Sequence, residues 1–203
     1  MKRMILLTIA ILVILGCVSI ESVLSFSGAT HKILSDYAAN NSVLNKENYL
    51  VNYLGFQNGL QEPLTWKDKS QTQTINLWLQ EGSALEDGKL WDYLILKSRS
   101  FNHFHDPLKE WDTAGLNDIF TGKSALLWAQ DGEKQQTFPQ GDWSWQKIRL
   151  LYYTALTATT EVEQQQYFAM MFRGLGHQMH LVQDMAVPAH ARNDAHHELW
   201  RLL

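Results

Sequence analysis

From Thr30 onward apolar residues recur at helical spacing and few stretches alternate as strands do, so the pattern predicts an all-α domain. A first helix runs from about Thr30, with Ile33, Leu34, Tyr37 and Ala38 on one face, to Asn40 and Asn41, which end it. A second covers roughly Lys46 to Phe56. A third covers Gln73 to Gln80 with Ile75, Leu77, Trp78 and Leu79, and Leu90 to Leu96 reads as a further short turn. The segment Phe101 to Pro139 holds Pro107, Gly115, Gly122, Gly132 and Pro139 and reads mostly as loop, with a short helix near Ser124 to Gln130. Two long helices follow. Asp142 to Ala158 carries Trp145, Ile148, Leu151 and Tyr152. The next begins at Thr160, with Glu163 three residues on as a capping-box pair, and runs through Phe168, Met171, Phe172, Leu175 and Met179 towards Pro188, which ends it.

The first 25 residues follow a different pattern. Lys2 and Arg3 precede an uncharged stretch from Met4 to Ile20, the charged start and apolar middle of a secretory signal peptide, so the protein is expected to be exported. The stretch sits at the lower limit for spanning a bilayer, which leaves an uncleaved membrane anchor as the alternative. Two cleavage sites compete. Ile14-Leu15-Gly16-Cys17 resembles a lipoprotein box that would leave an acylated Cys17, secreted or periplasmic but lipid-anchored; Val23-Leu24-Ser25 before Phe26 fits ordinary cleavage. The domain organisation is therefore residues 1–25 as signal or anchor and residues 26–203 as one helical domain.

Composition narrows the chemistry. Of 203 residues 45% are apolar, enough for one globular core. A formal charge of −4 offers no basic field for holding duplex nucleic acid by its phosphates. Removing residues 1–25 leaves 15 basic and 20 acidic residues, a mildly acidic surface. The single cysteine excludes a disulfide framework and any cysteine-based zinc or haem site, so a metal must be held by histidine and carboxylate.

The eight histidines fall in four places: His31; His103 and His105; His177 and His180; and His190, His196 and His197. The strongest unit is His180-Leu-Val-Gln-Asp184 followed by Pro188-Ala-His190. Residues four apart share a helix face, so an imidazole and a carboxylate can converge on one ion, and Pro188 lets the chain turn His190 back towards them. Taken alone, His180 and Asp184 are equally readable as an exposed i,i+4 pair. The second unit is Asn102-His103-Phe104-His105-Asp106-Pro107, alternating histidines beside a rigid turn. The third is Gly82-Ser-Ala-Leu-Glu86-Asp87, an acid pair after a helix end, and the fourth is Thr30-His31 at a helix N-terminus.

Read in series, a His near the mature N-terminus, an Asp, then HFHDP, then H-x-x-x-D-x-x-x-P-x-H, this order resembles the bacterial zinc-dependent phospholipase C family, a helical superfamily shared with secreted single-strand nucleases. The resemblance spans about Phe26 to Glu198. It implies an all-α domain with up to three zinc ions at the bottom of a cleft, hydrolysing phosphate esters. Asp87, His103, His180 and Asp184 would hold the first zinc. His31 and Asp184, with the N-terminal amine and carbonyl, would hold another, so that Asp184 bridges, and His190 would begin the remaining site. Asp87 or Asp184 would orient or deprotonate the attacking water. His105 and His177 are not among the family's usual ligands and read as neighbours that orient one. The family completes its third site with a His and a Glu four residues on; here His196, His197 and Glu198 are followed almost at once by Leu203, so either His197 or His196 with Glu198 supplies a modified site or the chain is a truncated copy, the reading favoured here.

HFHDP is closer to the phospholipase branch, which makes a phospholipid the expected substrate, with membrane-surface association by Trp143 and Trp145 set against the alternative that tryptophans fill the core. The competing functions are a zinc nuclease or nucleotidase of the same superfamily and a non-catalytic exported zinc-binding protein.

Overall fold

The computed structural model describes residues 26–88, 92, 97–118 and 120–193. The elements are α1 (Gly28–Asn41), α2 (Val43–Lys46), α3 (Tyr49–Leu54), β1 (Pro63–Trp66), β2 (Gln71–Thr74), α4 (Ile75–Leu85), α5 (Ala125–Trp128), α6 (Gly132–Gln136), α7 (Trp145–Thr157), α8 (Glu161–Met185) and α9 (Pro188–Ala191). The chain is mostly helical and belongs to the all-α class.

Capping side chains set where the main helices begin. Ser27 accepts from Thr30 N, Thr74 from Leu77 N, Ser144 from Lys147 N and Thr160 from Glu163 N, each satisfying an amide that has no partner within its helix. Thr160 Oγ1 also donates to Glu163 Oε2, so the Thr160–Glu163 pair read from the sequence is joined through its side chains as well as by the cap. Three expectations are corrected. The helix expected over Lys46 to Phe56 is broken, because Asn48 adopts a left-handed conformation (φ 51°) that separates α2 from α3, and Gly55 closes α3 in the same region (φ 74°). The helix placed at Gln73 starts instead at Ile75. Gln71–Thr74 pairs antiparallel with Pro63–Trp66 in a short hairpin, Leu64 opposite Gln73 and Thr65 opposite Thr72, whose β-branched residues favour extended backbone. The last long helix stops at Met185 and Pro188 opens α9, where its missing N–H is no loss.

The core sits where α4, α7 and α8 meet over the hairpin, filled by Leu64, Trp66, Ile75, Trp78, Leu79, Ile148, Leu151, Phe168 and Phe172. Helices α4 and α8 approach until their backbones touch. A Cβ on Gly82 would lie 1.9 Å from Arg173 O, and one on Gly176 would lie 2.1 Å from Leu79 O, so only glycine fits at this crossing. The close crossing brings the C-terminal end of α4, with Glu86 and Asp87, against the half of α8 that carries His177, His180 and Asp184.

The loop after residue 97 is tied down by its own polar groups. Lys123 N donates to Asn102 Oδ1, Asn102 Nδ2 to Arg99 O, Ala125 N to Phe104 O and Asp106 N to Ala114 O. His103 is thereby presented inward, while His105 Nδ1 pairs with Ser124 Oγ and His105 N donates to His190 O, which fastens α9 to the loop. No helix among the described residues is long and apolar enough to cross a membrane. The expected signal or anchor, residues 1–25, and His196, His197 and Glu198 lie outside the described residues.

Candidate metal centre

Asp87, His103, His180 and Asp184 converge, each offering one ligand atom, with all four atoms within 4.8 Å of one another. They come from the end of α4, the 97–124 loop and α8. Asp184 Oδ2 lies 2.8 Å from His103 Nδ1 and 3.0 Å from His180 Nε2, those two nitrogens are 3.1 Å apart, and Asp87 Oδ1 is 3.4 Å from His180 Nε2 and 3.7 Å from His103 Nδ1. A tetrahedral ion with ligand bonds of about 2.0–2.1 Å would hold its ligand atoms about 3.3 Å apart. The spacing fits such an ion with small adjustments. His103, His180 and Asp184 are fully buried, while the Asp87 side chain keeps 28% of its exposure and forms the side open to water.

Hydrogen bonds behind the rings orient them as ligands. His180 Nδ1 donates to Ser83 O at 2.6 Å, so Nε2 faces the carboxylates of Asp87 and Asp184 and offers them a proton when the ring is charged or offers a metal its lone pair when the ring is neutral. His31 follows the same plan. Its Nδ1 donates to Gln183 Oε1 at 2.6 Å, and its Nε2, which makes no hydrogen bond, points at Asp184 Oδ1 3.4 Å away. The His31 ring stacks on His180 with centroids 3.7 Å apart, and Phe26 lies edge-on against it. His190 Nδ1 reaches within 3.5 Å of Asp184 Oδ2 from α9. Lone pairs aimed at carboxylates repel unless a positive charge, a proton or a metal ion, lies between them; with both rings neutral, the Asp87 and Asp184 carboxylates carry the charge that a divalent cation balances. A metal ion can be bound here.

The titration tendencies reflect the same demand for positive charge. Burial opposes charging His180, yet the Asp87 and Asp184 charges outweigh it and raise its pKa well above the ordinary value. His103 is also raised, as the Asp184 carboxylate that accepts from its Nδ1 and the Glu86 carboxylate near its Nε2 overcome its burial. Both ligand carboxylates are lowered, against burial, chiefly by His180.

Sequence reasoning passed over what lies behind this cluster. Glu86 is fully buried. Its Oε2 accepts from Arg99 Nε at 3.0 Å and His177 Nδ1 at 2.6 Å, and its Oε1 accepts from Trp128 Nε1 at 2.8 Å. His103 Nε2 lies 3.8 Å from the same Oε1, so Glu86 backs the ring whose other nitrogen faces the cluster. Arg99 completes its own bonds with Gly141 O and Gln135 Oε1. Arg99 carried no signal in the sequence. Glu86 did: Ile75, Leu79, Gly82 and Glu86 step by four, three and four residues along one buried helix face. His177 orients no ligand directly; it stacks flat on Trp143, with centroids 4.9 Å apart and 6° between the planes, and donates to Glu86.

Burial, followed by the Arg99 and Arg173 charges, pushes His177 down to about 4 even though Glu86 pulls the other way. Unfolding restores an ordinary value near 6.5, so between these two values the unfolded chain binds a proton that the folded chain refuses, and stability falls as pH falls. His177→Gln, which can still donate to Glu86, removes this one contribution. In urea titrations with chelator present, the wild type is expected to lose about 3 kcal/mol more than His177→Gln on going from pH 7 to pH 4. Equal losses in the two proteins would show that His177 is not held neutral.

Comparison with protein-family models, with curated proteins and with solved structures finds no match for this chain. The functional reading therefore rests on the residues themselves. Six of the seven residues singled out as metal ligands, His31, Asp87, His103, His180, Asp184 and His190, meet in one buried pocket around Asp184; the seventh, His197, lies outside the described residues.

Proposed function

We propose that this chain is an exported zinc-dependent phosphoric ester hydrolase of phospholipase C type, cleaving the phosphate ester of a phospholipid headgroup. The observation that carries the proposal is the convergence of His103, His180 and Asp184, buried, with the partly open Asp87 on a single ion-sized space. The motif order that resembles the zinc-dependent phospholipase C family supplies the reaction class. Two imidazole nitrogens and two carboxylate oxygens form a donor set that suits zinc.

His103, His180, Asp87 and Asp184 would hold one zinc, and Asp184 Oδ1 with His31 would contribute to another. Zinc, when bound, supplies a water of lowered pKa and charge neutralisation for phosphoryl oxygens. Asp87 is the carboxylate placed to accept a proton from a water at the open side, since Asp184 is enclosed and engaged by His103, His180, His31 and His190. Ser83 O and Gln183 Oε1 keep His180 and His31 in the tautomer that presents Nε2 inward. Of the two tryptophans read as membrane-facing, Trp143 packs in the core and Trp145 is half exposed, so Trp145 is left to serve at a lipid surface.

The test is release of phosphorylated headgroup from phospholipid vesicles by the purified protein, with zinc counted by elemental analysis and single-stranded DNA assayed alongside. The expected result is headgroup release that stops with EDTA and returns with zinc. Cleavage of single-stranded DNA alone would move the protein to the nuclease branch. Bound zinc with neither activity would leave a non-catalytic zinc-binding protein.

A further inference from the structure

A second cleft, walled by tryptophans and edged by charged side chains, lies further up α8 and shares no residue with the metal centre. It is a cleft of about 390 Å³ lined by Trp66, Lys69, Gln140, Trp143, Lys147 and Arg173 among others. Arg173 lies seven residues before His180 and eleven before Asp184, which at 1.5 Å per residue is about 10–16 Å along the helix.

Residues that line the cleft carry buried hydrogen-bonding groups without partners. Arg173 is only 5% exposed, and its Nε and Nη1 make no hydrogen bond. Its nearest carboxylate oxygen, Glu81 Oε1, is 3.6 Å from Nε, and Glu81 Oε2 is engaged by Gln71 and Gln73. Trp143 Nε1 is also buried and unbonded. These are all donors, and a buried donor left unmatched costs free energy, so the cleft is short of acceptors. One acceptor is unmatched as well: Gln140 Oε1, whose amide is fixed by donation from Nε2 to Leu85 O.

The cationic groups are held in place before any ligand arrives. The Arg173 guanidinium lies 5.3 Å from the Trp66 ring and 5.2 Å from the Trp143 ring, and Lys69 Nζ sits 4.2 Å from the Trp66 ring. Burial, followed by the neighbouring Arg173 charge, lowers the Lys69 pKa, while Glu81 acts the other way. With Lys147, three cations stand against two acids, Asp142 in the lining and Glu81 beside Arg173.

We propose that this cleft binds a small phosphate, free or as a singly protonated monoester, whose charged oxygens accept from Arg173 and Trp143 and whose remaining O–H group donates to Gln140 Oε1. A phosphodiester lacks that O–H and a simple carboxylate lacks the third oxygen, so both should bind less well. The proposal stands apart from the zinc reading because the cleft uses none of the metal ligands.

The test is isothermal titration of inorganic phosphate into the full chain with EDTA present, so that a metal centre cannot supply the affinity. Saturable binding is expected, stronger than that of dimethyl phosphate or acetate. Arg173→Met is expected to weaken it by about 10- to 100-fold, the worth of a charge-assisted bond. Should that variant fail to fold, Lys69→Gln with Lys147→Gln on the rim is expected to weaken phosphate by about tenfold through loss of two nearby charges. His180→Ala should leave it unchanged. Glycerol phosphate and vesicles containing phosphatidic acid distinguish a soluble monoester from a lipid headgroup, and either one supports the site. No saturable binding, equal binding of dimethyl phosphate, binding indifferent to both the Arg173 and the lysine variants, or loss in His180→Ala would each overturn it.

Discussion

Asp184→Asn is expected to abolish zinc binding at the centre and, with it, any phosphate-ester hydrolysis, while leaving a folded helical chain. Asp184 reaches four histidines of the site, His103, His180 and His190 through Oδ2 and His31 through Oδ1. Asparagine keeps the shape and removes the charge that balances a divalent cation. Disturbing a group that merely supports a ligand costs about 10–100-fold in metal affinity, and removing a shared ligand should exceed that. The clearest measurement is the zinc-dependent rise in unfolding free energy, which reaches about 4 kcal/mol when zinc stands at 1,000 times its dissociation constant. The wild type should show this rise and Asp184→Asn should not. Asp87→Asn gives the useful contrast, because three buried ligands remain, so zinc still binds, more weakly, while hydrolysis is lost with the open-side carboxylate. A zinc effect on stability that survives Asp184→Asn intact would refute the centre as drawn.

The parts of this centre that a sequence reveals are those with local spacing. His180 and Asp184 stand four apart on a helix, and that alone places them together; Pro188 two residues before His190 signals the turn that brings a third imidazole back. Which of His103 and His105 points inward is not a local property. It follows from Asn102 anchoring to Lys123 N and from Ser124 capturing His105, partners about twenty residues away. The Glu86 and Asp87 pair shows the same limit. Successive helical positions differ by about 100° in direction, so one acid faces the buried network and the other the open side, and only the close crossing of α4 on α8 decides which is which. The hairpin was illegible because Gln71–Thr74 is polar throughout and has no apolar alternation, so it reads as the approach to the following helix.

That crossing makes Glu86 the other residue whose loss should be felt most, and the effect should be on folding rather than on the reaction. Glu86→Ala leaves the Arg99 guanidinium buried without its carboxylate, a change that costs about 3–5 kcal/mol when one member of a buried pair is removed. Trp128 Nε1 and His177 Nδ1 lose their acceptor as well. Against a total stability of about 5–15 kcal/mol, that is a large fraction, so the variant should unfold at a much lower urea concentration than the wild type. Glu86→Gln should fare little better: it keeps the volume but turns a donor towards donors and leaves the Arg99 charge uncompensated. Adding Arg99→Met to Glu86→Gln should restore part of the loss, because the unpaired charge is then gone, and a double-mutant cycle by urea unfolding reads the coupling directly. If Glu86→Gln alone costs less than about 1 kcal/mol, the range of an exposed ion pair, then Glu86 is not the buried counter-ion of Arg99 and its role behind His103 fails with it.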